Sequence, residues 1–80
     1  MGDSKLVLDK KGKQLSPCII AKVRYALGIK KARPKNIKPC SLDYWKRVVE
    51  RIAELEKPNA TAEEIKKALD MYGELAEKIS

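Results

Sequence analysis

Four prolines divide this eighty-residue chain before any other feature does. Inside a helix, proline removes a hydrogen bond and clashes with the preceding turn, at a cost of about 3 kcal/mol. Pro17, Pro34, Pro39 and Pro58 therefore leave room for helices after residues 17, 39 and 58, and exclude one across 34–39.

Each of those stretches carries its own start signal. Ser16 precedes Pro17, which suits the first helical position, and Leu15 and Ile20 flank the cap at staple spacing. Ile19, Ile20, Val23, Ala26 and Leu27 make one apolar face with Lys22 and Arg24 outward, and Gly28 stops the helix, expected over 16–29. A second helix is expected over 41–57, with Leu42, Trp45, Val48, Val49, Ile52 and Leu55 inward and Cys40 and Trp45 as its staple. A third, over 61–79, opens on a capping box by residue type, Thr61 to Glu64. Its stripe is Ile65, Ala68, Leu69, Tyr72, Leu75, Ala76 and Ile79, with Gly73 a soft point on the polar side.

The other segments are a basic linker at 30–40, pinned by Ile37, and residues 1–15, an arm or short β-hairpin. Lys5 to Leu8 and Lys13 to Leu15 can pair across a turn at Asp9–Gly12, where Leu6, Leu8 and Leu15 need a surface to rest on; a frayed tail is the alternative. The expected fold is mainly α: a small three-helix bundle with an N-terminal arm or β-hairpin, in one domain spanning 1–80.

A core of this size is marginal alone, and Phe is absent from it. Cys18 and Cys40 are candidates for a disulfide if the linker runs back along the first helix, worth roughly 3 kcal/mol by loop-closure arithmetic. Buried free thiols are the alternative. The chain is rich in Lys and Glu and holds only Gln14, Asn36 and Asn59 as amides, a bias of hyperthermophile proteins, in which intracellular disulfides occur.

The net charge of +7 is unevenly spread. Residues 1–40 carry eleven basic and two acidic side chains, whereas residues 41–80 carry seven and nine. Ten Lys or Arg occur from Lys10 to Lys38 with no acid among them. Such segregation directs a field at one face, and a phosphate backbone is the partner it suits best. The expected contacts are Lys30, Lys31, Arg33, Lys35 and Lys38 in the proline-stiffened linker. Lys10, Lys11 and Lys13 form a second prong, with Lys22 and Arg24 between. A merely solvated lysine surface is the bland alternative. Tyr25 and Tyr44 are either stacking rings at the edge of this face or boundary packing, while Trp45 belongs to the core.

Other functions lack their residues. With no His, imidazole chemistry is absent, and two Cys cannot complete a four-ligand zinc site. Glu63 and Glu64 are explained by helix capping and Asp43 by the helix dipole. Cys18 has no accompanying base or phosphate loop, so an enzyme is not expected, nor a cofactor or metal. The helix–break–helix of 47–69 resembles a helix-turn-helix opening only in outline, since the residues after Leu69 carry no Arg, Asn or Gln to read bases. No stretch reaches the ~18 apolar residues of a membrane span, and no signal-peptide core opens the chain, which favours the cytoplasm.

Two functions follow as expectations. The first is a small non-catalytic nucleic-acid-binding protein, for DNA or RNA, gripping the backbone through its basic half. The second is an accessory subunit or protein–protein interaction module of a larger complex, such as one that processes nucleic acid, docking through Leu6, Val7, Leu8, Met71 or Ile79.

Overall fold

The computed structural model describes residues 7–34 and 39–76. Among them are three helices, α1 (Pro17–Ala26), α2 (Leu42–Glu56) and α3 (Ala62–Asp70), a single further turn, α4 (Tyr72–Leu75), and no strand. The mainly helical small domain expected from the periodicities is thus observed. Leu6, Ile37, Ile79 and the end of the third expected helix lie outside the described residues.

Contacts at the helix ends give their directions. The Ser16 N–H donates to the Tyr44 hydroxyl at 2.7 Å, joining the starts of α1 and α2. Arg24 grips Glu56 with two bonds, 2.8 and 2.7 Å, joining their ends. The two helices are therefore parallel, and the chain between them has to return from one end of the domain to the other. α3 runs antiparallel: Lys57 Nζ meets Glu64 at 3.1 Å at one end, and the Trp45 indole N–H donates to the Ala68 carbonyl at 3.0 Å at the other.

Trp45 is the centre of the core, fully buried among Ile19, Val23, Val48, Val49, Ile52 and Leu75. Its indole N–H would be costly to bury alone, and Ala68 satisfies it. Tyr72 meets its ring edge-on, centroids 6.2 Å apart, and its hydroxyl donates to the Cys40 carbonyl at 2.7 Å.

Several expectations fail at the edges of elements. Leu42 and Leu55, expected inside, are 49% and 51% exposed, while Ala53 is buried. Both leucines stand in the terminal turns of α2, and at about 100° per residue Leu55 lies about 80° from Trp45, on the opposite edge of the apolar stripe from Ala53. Lys22, expected outward, is 4% exposed. At about 100° per residue it stands about 40° round from the buried Ala26, inside a stripe widened because α1 packs on both α2 and α3. Ser16 makes no side-chain cap; its N–H is the group used.

The third helix is not continuous. Met71 (φ −74°, ψ −1°) interrupts it two residues before the expected soft point at Gly73. The break lets Leu75 and Ala76 turn into the core, where the Ala76 carbonyl accepts the Cys40 N–H at 3.1 Å. By contrast, the Thr61–Glu64 capping box is complete in both directions, at 3.1 and 3.0 Å.

In the N-terminal segment Leu8 and Gln14 form one isolated antiparallel bridge, and Leu15 is buried against the core. The Gly12 N–H closes a turn on the Asp9 carbonyl at 3.0 Å, and Gly12 takes φ +85°, which side-chain-bearing residues avoid. No helix is long and apolar enough to cross a membrane among the described residues.

Candidate nucleic-acid interface

The structure sorts the ten cations singled out by sequence. Lys22 is inside, where its charge acts on the Cys40 thiol. Arg24 is committed to Glu56, which holds its guanidinium above the ordinary value. Arg33 is likewise committed, to Glu74 at 2.8 Å. Lys35 and Lys38 lie outside the described residues. Lys10, Lys11, Lys13, Lys30 and Lys31 are exposed and form no ion pair with a described residue.

Lys30 and Lys31 stand where α1 ends. Gly28 takes φ +83° there, and its N–H donates to the Tyr25 carbonyl at 3.1 Å. The N–H groups of Ile29 and Lys30 then both donate to the Arg24 carbonyl, at 2.9 and 3.1 Å. These bonds tie the Lys30 backbone to the helix, so ordering it costs little when a ligand arrives. Lys57 Nζ donates to the Leu27 carbonyl at 2.7 Å, offsetting the negative end of the α1 dipole that would otherwise repel an anion.

Between this corner and α3 lies a concavity of about 340 Å³. Lys30, Lys31 and Lys67 line it with Tyr25, Ala26 and Met71, and no acidic residue does. Ala26 is buried and Tyr25 and Met71 are half-buried, so the lining is apolar at depth and cationic at the exposed margin. Lys67 was missed by splitting the charge at residue 40, because it belongs to the acidic half. Its place on the polar side of α3 is evident from the periodicity; that this side faces the end of α1 is not.

The other expected prong has a different setting. Asp9, Lys10 and Lys11 line a cavity of about 180 Å³ with Arg47, Glu50 and Arg51 of α2, a mixture of both signs. Two of these charges, Asp9 and Arg51, hold the turn in place. The Asp9 carboxylate accepts the N–H groups of Lys13 and Lys11, each at 2.8 Å, and the Lys13 bond chiefly holds it below its usual range. Arg51 donates to the Leu8 carbonyl at 2.8 Å and pairs with Glu54 at 3.1 Å, while Arg47 pairs with Asp43 at 3.1 Å. Lys10 also borders a concavity that contains Glu50 and Glu54. The concavities beside Lys10 and Lys11 have no lining residue in common with the one beside Lys30 and Lys31.

Cys18 and Cys40 are both free thiols in this structure. The helix starts do lie at one end, as a bridge requires. Cys18, however, points to solvent, whereas Cys40 is half-buried with its backbone bonded to Ala76 and Tyr72, and burial pushes its thiol up. The two tyrosines also part: Tyr44 is half-buried with its hydroxyl used by Ser16, and Tyr25 borders the basic concavity. No cluster of three His, Cys, Asp or Glu that would hold a metal occurs among the described residues.

Comparison with protein-family models, curated proteins and solved structures finds no match to this chain.

Proposed function

We propose that this chain is a small non-catalytic nucleic-acid-binding protein that grips the sugar-phosphate backbone at the end of α1. One observation carries the reading: Lys30, Lys31 and Lys67 surround a single concavity with no acid in its lining. Three ammonium groups form no ion pair with a described residue, whereas the fields of Arg24 and Arg33 are partly cancelled by Glu56 and Glu74 beside them. Each phosphate met by such a lysine releases condensed counterions, which drives association without reading sequence. The lysines of the 9–13 turn add to the long-range field that steers the polyanion.

The test is oligonucleotide binding across a salt series. Three neutralised phosphates give a slope of log K against log salt near −2 to −3. Reversing the three side chains together (Lys30→Glu, Lys31→Glu, Lys67→Glu) abolishes binding while leaving the fold intact, because all three are exposed. Binding that survives the triple reversal contradicts the proposal. A protein retained from nuclease-treated extract in high salt, together with no oligonucleotide binding, supports the accessory-subunit reading instead.

A further inference from the structure

We infer that the concavity between the end of α1 and α3 takes single-stranded rather than duplex nucleic acid, with a base seated against Tyr25 and its flanking phosphates on the lysine margin; this rests on the function proposed above. Phosphate recognition alone explains three lysines, but it does not explain an apolar, concave interior beneath them. Tyr25, Ala26 and Met71 supply that interior, and Tyr25 and Met71 are only half-covered by the rest of the protein. A duplex presents a convex sugar-phosphate surface with its bases stacked inside, so it can touch the margin and leave the interior empty. An unpaired nucleotide has both parts the site is built for: a flat apolar face and a phosphate on either side.

The dimensions agree. About 340 Å³ is at the small end of the ~300–1,000 Å³ range of ligand pockets, enough for one nucleotide unit. The electronics agree as well. Nearby Arg33 pairs with Glu74 at 2.8 Å and also interacts with Tyr25, so a further cation stands beside the ring. No Asn, Gln or Arg, the side chains that read bases through paired hydrogen bonds, lines the pocket, so the ring face and not a base edge is what it recognises.

Fluorescence anisotropy with a labelled oligothymidylate and a duplex of the same length, at about 50 mM salt, decides the question. The single strand is expected to bind about five-fold or more tightly than the duplex, the lower limit of what stacking on one ring contributes. Tyr25→Leu removes that preference, and Tyr25→Phe, which keeps the ring, retains it. Equal affinity for the two forms overturns the inference, as does an unchanged ratio in a Tyr25→Leu protein whose circular dichroism is native. If Tyr25→Leu does not fold, the wild-type ratio and the Phe variant decide alone. Duplex binding that is lost on reversing the lysines, with no preference for the single strand, overturns this inference and leaves the proposed function standing. Failure of both probes to bind overturns both.

Discussion

Lys57, the residue that closes α2, places its Nζ 2.7 Å from the Leu27 carbonyl and 3.1 Å from Glu64. One side chain thereby ties the end of α1 to the start of α3, and it does so directly beneath Gly28, whose Cα would carry a Cβ 3.7 Å from that ammonium. The corner that presents Lys30 and Lys31 depends on this junction. Replacing Lys57 with Met keeps most of the stem and removes both bonds. Thermal unfolding is expected to show a loss of about 1–2 kcal/mol, or ~4–16 °C in Tm for a domain of this size. An unchanged Tm contradicts the structural role given to Lys57.

Acid should weaken the fold through two carboxylates. The Lys13 and Lys11 N–H groups lower Asp9 from 3.8, and the Thr61 N–H together with Lys57 lowers Glu64 from 4.5. A depressed folded-state pKa contributes stability above the unfolded value and loses it as pH falls through the folded one. Tm is therefore expected to decline as pH falls below about 4.5. In the Asp9→Asn, Glu64→Gln double variant that decline is shallower, since two of the linked protons are gone. A decline of unchanged steepness contradicts the assignment.

The paired and unpaired cations should behave differently toward nucleic acid. Charge segregation alone gives Arg24 and Lys30 equal standing, but Glu56 already holds Arg24 with two bonds. Lys30→Gln is expected to lower the magnitude of the salt slope by about one. Arg24→Gln is expected to leave the slope unchanged and to cost stability instead. Equal effects of the two on the slope contradict the division between structural and binding cations.

The cysteines give a separate check. Cys18 is exposed, and Cys40 is half-buried with its thiol raised by burial. A maleimide reagent followed by mass spectrometry should find two free thiols in unreduced protein, with Cys18 labelled well before Cys40. A mass two protons lower and no labelling would mean that the bridge forms after all.

Much of the helical plan is legible in the prolines, caps and periodicities. Thr61 and Glu64 cap each other as residue type and spacing require, and Trp45, Val48, Val49 and Ile52 are buried together as their spacing demands. What is not legible depends on neighbours. Leu42 and Leu55 continue the α2 stripe in sequence, yet both stand in its terminal turns and are about half exposed. The third helix breaks at Met71, not at Gly73, in a place set by how Leu75 and Ala76 reach the core. For the site, the sequence locates the charge but not its availability. Lys22 is buried, Arg24 and Arg33 are paired with acids thirty-two and forty-one positions away, and Lys67 joins from the half with the opposite net charge. Long-range pairing of this kind leaves no local mark on the chain.

The most direct measurement is a titration of isotopically labelled protein with oligothymidylate, followed by amide chemical shifts in two-dimensional NMR. Shifts should concentrate at Tyr25, Gly28, Lys30, Lys31, Lys67 and Met71, saturate together, and revert as salt is raised. Shifts confined to the 9–14 turn and α2, with the end of α1 and α3 unmoved, would place the nucleic acid elsewhere and contradict the proposed interface.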